Sequence, residues 1–162
     1  MALQDRLVNI ASRQDNPSVT FSFNTHRTHP DNLKDEIVLK NLVKEAENRL
    51  FESYNKRDIE PLLEKLNNIH DEVDFNMNLD SLHIFLSNDF QDIIKSTWST
   101  PEDKVEVDET FAIRQLIKDY NRSEEYLILK LTMDDVHLYE ALNDSVTLEI
   151  SNDFFPLTDG KY

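Results

Sequence analysis

Apolar and polar positions alternate with two different periods along this chain, and the change between them divides it into elements. Leu3, Leu7 and Ile10 fall at helical spacing and predict a short opening helix, which Asn16–Pro17 ends. Val19, Phe21 and Phe23 then lie on one face and Thr20 and Ser22 on the other, the period-2 pattern of a strand. A polar loop, Asn24 to Asn32, follows. A long helix is expected to begin near Pro30–Asp31, since proline is tolerated in a first turn. Val38, Leu42, Ala46 and Leu50 repeat every four residues with Leu39 and Val43 beside them, giving a broad apolar stripe. Glu36 with Lys40 and Glu45 with Arg49 are favourable i,i+4 pairs on its polar side, worth about 0.2–0.5 kcal/mol each.

A second amphipathic helix carries Ile59, Leu62, Leu63, Leu66, Ile69 and Val73, with Asp58 as its expected N-cap and Pro61 in its first turn. The short link to the preceding helix predicts a helical hairpin. From Ser81 the period shortens. "LHIFLS", "QDIIKSTWS" (with Ile94 and Trp98 among its apolar residues) and "KVEVDE" read as strands. "TFAIRQLIKDY" reads as a helix with Phe111, Leu116 or Ile117, and Tyr120 inward. "EYLILKLT", "DVHLYEAL" and "SVTLEIS" are three strands in quick succession, the first two joined by a tight turn at "TMDD". The polar joint over residues 120–125 is the expected boundary between two parts.

Composition narrows what this arrangement can do. The chain has no cysteine, which excludes disulfides and Cys-ligated metal centres, and a single glycine, Gly160. A dinucleotide-binding GxGxxG, a phosphate-cradling Walker loop and a GxSxG elbow each need glycine at several positions, so none can be built. No stretch approaches the roughly 18 consecutive apolar residues of a membrane helix. Asp5 and Arg6 interrupt the N-terminus where a signal peptide has its apolar core, so a cytoplasmic location and no membrane partner are expected. The net charge of −15 is unevenly placed: residues 1–57 carry nine Lys/Arg against eight Asp/Glu, and the rest carry eight against 24. An acidic body repels phosphate at long range, so contact with nucleic acid is assigned to the N-terminal third.

Within that third, Thr25, His26 and Arg27 follow directly on the strand, with Lys34, Lys40 and Asn41 on the helix beyond. A strand end leading into a helix start offers backbone N–H groups and a positive dipole, and an arginine can add a forked contact to an anion. The competing reading has Arg27 paired internally with Asp31 or Asp35, clamping the loop. His26 and His29 are three residues apart but lack further ligands in the pattern, so no metal and no cofactor are expected. Neighbouring acids such as Asp35/Glu36 and Asp134/Asp135 are common in so acidic a chain and mark no acid–base site. No catalytic residue is assigned.

The stretch "VTFSFNTHRTHPDNLKDEIVLKNLVKEAENRL" resembles the N-terminal signature of the bacterial proteins related to the archaeo-eukaryotic peptide-chain release factors. In that family a strand ends in a Thr-His-Arg turn and a helix follows. The matching positions are Thr25, His26, Arg27, Pro30, Asp35, Lys40, Asn41, Leu42, Glu45, Ala46, Glu47 and Leu50. The order of later elements resembles the family's to about residue 142. Departures are clear. The Gly-Gly-Gln loop that hydrolyses peptidyl-tRNA and the stop-codon-reading Asn-Ile-Lys-Ser motif are absent from these residues. His29 stands before Pro30 where bacterial members often have glycine, which makes the backbone there less open to a phosphate.

The resemblance implies an α+β fold: a mixed or antiparallel sheet packed by the long helix and the helical hairpin over residues 1–122. Residues 123–162 would then be the first strands of a middle domain, a short β-hairpin extension. It implies a translation-associated module, not an enzyme. Such a module would contact ribosomal RNA or tRNA through Thr25, His26, Arg27, Lys34, Lys40 and Asn41. The alternative is a protein–protein interaction domain whose acidic body docks on a basic partner. Family members are longer, so an unpaired sheet edge and an apolar face around Leu127, Leu129 and Leu131 are expected, and with them a homodimer through the C-terminal strands.

Overall fold

The computed structural model describes residues 3–158. Among them are four α-helices and two antiparallel sheets, an α+β arrangement that divides into two compact units, the first ending at Tyr120 and the second starting at Asn121.

In the first unit four strands pair in the order β3-β2-β1-β4: β1 (Ser18–Asn24), β2 (Ser81–Leu86), β3 (Gln91–Ser96) and β4 (Lys104–Asp108), every neighbour antiparallel. Val19, Phe21 and Phe23 share a face with Leu82, Ile84, Leu86 and Val105. Against that face pack α2 (Leu33–Ser53), through Leu39, Leu42, Ala46 and Leu50, and α3 (Glu60–Glu72), through Leu62, Leu63, Leu66 and Ile69. Phe21 and Phe23 are fully buried, and each such side chain contributes about 1.5–3 kcal/mol of transfer free energy.

The opposite face is covered too. Phe85 and Ile94 meet Leu7 and Ile10 of α1 (Leu3–Ser12) and Leu116 of α4 (Arg114–Asn121), with Phe111 edge-on to Phe85 at 5.6 Å. Arg6 ties α1 to β3 through a forked pair with Asp92. Covering both faces explains why β1 and β2 are buried along nearly their whole length and why Thr20 and Ser22 are buried as well as Phe21 and Phe23.

The first sheet, expected as mixed or antiparallel, is antiparallel throughout. Several other expectations need correcting. Helix α2 begins at Leu33, because Pro30 and Asp31 belong to a tight turn in which Leu33 and Lys34 N–H donate to their carbonyls. Its buried line runs through Asp35, Leu39, Leu42, Ala46 and Leu50, leaving Val38 and Val43 on its flank. Asp58 caps no α-helix: it sits inside a 3-10 turn, Lys56–Ile59, and α3 starts after it with Pro61 in the first turn. A long-range acceptor, Asn88 Oδ1, takes the Leu62 N–H at 3.3 Å. Trp98 lies beyond the end of β3. In α4 only Leu116 of the three candidates points inward, while Ile117 and Tyr120 are exposed.

The second unit is a sheet of β5 (Glu125–Leu131), β6 (Asp135–Leu142) and β7 (Ser145–Glu149), with β8 (Leu157–Thr158) also pairing to β6. It is thus larger than a hairpin. The turn at 132–135 closes without glycine: the Thr132 N–H donates to the Asp135 carbonyl and the Asp135 N–H to the Thr132 hydroxyl. Asn143, at φ 54°, takes the left-handed conformation that glycine would otherwise supply between β6 and β7. Strand β5 is exposed along its full length.

Candidate functional site

The polar junction singled out by sequence forms one bonded cluster at the end of β1. Thr25 is buried. Its N–H donates to the Asp80 carbonyl at 3.0 Å and its hydroxyl to the Leu79 carbonyl at 2.7 Å, sewing the turn to the segment that enters β2. His26 meets Asp35 twice, backbone N–H to Oδ2 at 2.8 Å and Nδ1 to Oδ1 at 2.7 Å. A carboxylate only accepts, so Nδ1 carries the proton. Asp35 itself is 1% exposed and takes a third bond from Asn78 Nδ2 at 3.3 Å. Arg27 closes a fork on Asp80, Nε to Oδ1 at 3.0 Å and Nη2 to Oδ2 at 2.6 Å, with its side chain 32% exposed.

The remaining sequence candidates lie along α2 and do not converge with these three. Lys34 is exposed and 3.2 Å from Asp31; Lys40 is exposed and 3.6 Å from Glu36; Asn41 is exposed. Six residues separate Lys34 from Lys40, which places them about 120° apart around the helix axis. Lys34 and Asn41, seven apart, share one line. Internal clamping of the arginine is what the geometry presents, with Asp80 as the acid in place of Asp31 or Asp35.

Sequence reasoning passed over Asp80, Asn78 and a second polar cluster on the other face of the sheet. There the His83 imidazole is 1% exposed, and burial pulls its pKa down to about 4 against the opposing pull of Asp119, so the ring is neutral at pH 7. Its proton can be placed. Ser81 donates its hydroxyl proton to the Trp98 carbonyl at 2.6 Å, so Ser81 Oγ must accept from His83 Nε2–H at 3.1 Å. Nδ1 is then the acceptor for the Ser22 hydroxyl at 3.0 Å. Asp119, 3.9 Å from Nε2, accepts from Ser96 and from Gln115. The only signal of this network in the sequence is polar residues at the alternate positions of strands, which reads equally well as a solvent face. Among the described residues, no group of three or more His, Asp or Glu side chains is placed to hold a metal ion, and no helix is long and apolar enough to cross a membrane.

No protein-family model matches the chain, and no curated protein matches it significantly. Fold and site together define an α+β protein whose candidate turn is an internally bonded clamp.

Proposed function

We propose that the chain is a translation-associated binding module resembling the peptide-chain release factors, which contacts ribosomal RNA or tRNA through the Thr25–Lys40 region without hydrolysing peptidyl-tRNA in these residues. The observation that supports it is the state of Arg27, fixed by its fork with Asp80 and still 32% exposed. A side chain held in place before binding loses little conformational entropy when a phosphate arrives. The pairing also neutralises most of its charge, so the association is weak, and the exposed Lys34 and Lys40 make it salt-sensitive. Co-sedimentation with ribosomes tests this. Intact protein is expected in the ribosomal peaks at low salt and not at high salt, and the combined Lys34→Ala, Lys40→Ala and Arg27→Ala variant is expected to lose the low-salt fraction. Lys34 and Lys40 are surface residues, so their double variant serves if the triple one misfolds. Absence of the wild-type chain from those peaks at low salt overturns the reading.

A second reading has a specific observation behind it. Leu127, Leu129 and Leu131 are 62%, 53% and 68% exposed on an edge strand. Strand β5 is the edge of its sheet, and its unpaired N–H and C=O groups can pair with the same strand of a second copy. This favours a homodimer through β5.

A further inference from the structure

We propose a site for a phosphate group in the cleft between α4 and the open edge of the first sheet at β4, lined by Arg114, Lys118, Lys104 and Ser22. It uses none of residues 25–41 and stands independently of the ribosome reading.

The distribution of ion pairs carries the inference. Acids outnumber bases almost two to one in this chain, and many of the cations are taken up inside it: Arg6 by Asp92, Arg13 by Asp15, Arg27 by Asp80, Arg49 by Glu45. Arg114 and Lys118 make no ion pair and no side-chain hydrogen bond with the described residues. They stand at i and i+4 on an exposed helix face, where like charges repel. Both line the same cleft, and Lys104 enters it from β4. Glu102 is the one acid in the lining, and Glu106, 2.8 Å from Lys104, raises the pKa of that lysine and keeps it charged. Three cations therefore face the cleft against one lining carboxylate and one that pairs beside it.

Ser22 and Gln115 also line the cleft and add no charge to it. Ser22 is 5% exposed with its proton committed to His83 Nδ1, and Gln115 is turned toward Asp119 by a 3.1 Å bond. Attraction for an anion there comes from the three cations. Volume sets the ligand's size. The cleft holds about 160 Å³, on the order of five water volumes at roughly 30 Å³ each. That accommodates a phosphate group with some of its waters. A guanidinium offering a planar fork beside ammonium groups acting as point charges is the pairing that phosphate oxygens favour.

The test is amide chemical-shift titration of the full chain with inorganic phosphate. Saturable shifts of Ser22, Thr100 and Gln115 are expected, weakened at least tenfold in Arg114→Gln with Lys118→Gln and unchanged in Lys44→Gln, an exposed lysine on α2. No saturable shift at millimolar phosphate overturns the site, as does equal binding by the double variant. Equal shifts with acetate overturn the phosphate assignment. Two further arms separate the sources of the group. Binding of a 5′-phosphorylated oligouridylate but not its unphosphorylated twin assigns a monoester, and equal binding of both assigns the RNA backbone; either outcome upholds the site. Phosphate binding without ribosome co-sedimentation upholds the cleft and ends the translation reading, and the converse result does the reverse.

Discussion

Removing the Asp35 carboxylate is the most direct probe of how the Thr25–Arg27 turn is held. The group is 1% exposed and accepts three bonds, from the His26 N–H, from His26 Nδ1 and from Asn78 Nδ2. The His26 ring is 45% exposed, so it can turn to water when its partner is lost and adds little. The Asn78 side chain is buried, and its Oδ1 already lacks a partner, so truncating Asp35 leaves the whole amide unsatisfied. Hydrogen bonds to a charged group contribute about 1.5–3 kcal/mol, and a stranded buried donor costs about 1–3 kcal/mol. We expect Asp35→Ala to lose about 3 kcal/mol, and Asp35→Asn, which keeps the shape and one acceptor, about half of that. Against a typical domain stability of about 5–15 kcal/mol, either loss is easily read by urea unfolding. Trp98, the sole tryptophan, lies in the first unit and reports on it by fluorescence. A loss below about 1 kcal/mol in Asp35→Ala, with an unchanged denaturant slope, would show that Thr25 and the Arg27–Asp80 fork hold the turn without it.

Two further outcomes follow from other parts of the molecule. Burial holds His83 at about 4, below its ordinary 6.5; above that ordinary value the ring is neutral in both states. As pH falls through this window the unfolded chain binds a proton that the folded chain refuses, so stability is lost, by about 3 kcal/mol in all. Stability measured from pH 7 to pH 4 should fall less steeply in His83→Gln than in the wild type, and identical slopes would refute the assignment. At the other end of the chain, Leu129→Lys is expected to convert the β5-paired dimer to a monomer by light scattering, and a wild-type chain that is monomeric at high concentration would dispose of the dimer.

What could be read from the sequence was what depends on near neighbours. The Glu36–Lys40 and Glu45–Arg49 pairs form because i,i+4 spacing brings them together whatever else the chain does. Val19, Phe21 and Phe23 marked β1 because alternation is a local property. Asp35 shows where that ends. It lies one turn before Leu39 on the buried line of α2, and a charge in that place reads as helix decoration until Asn78, 43 residues away, is seen to reach it. Asp80 is 53 residues from Arg27, and no spacing rule links them. The second face of the first sheet was hidden for a related reason. Thr20 and Ser22 look solvent-facing by alternation, but Thr20 accepts the Ala112 N–H and Ser22 bonds to His83, partners supplied by later segments.

The acidity of the whole chain bears less on phosphate recognition than its net charge suggests. Salt screens charges beyond about 10 Å at ordinary ionic strength, so a ligand in a cleft responds to the few groups that line it. The Thr25–Arg27 turn, placed in the near-neutral N-terminal third, has its arginine matched by Asp80. Arg114 and Lys118 belong to the strongly acidic remainder and are matched by none of the described acids. Regional charge alone therefore does not single out the segment that contacts an anion, because the same sum arises from paired cations and from isolated ones. Pairing is a property of the fold, and it is the quantity that decides where a negatively charged group can be held.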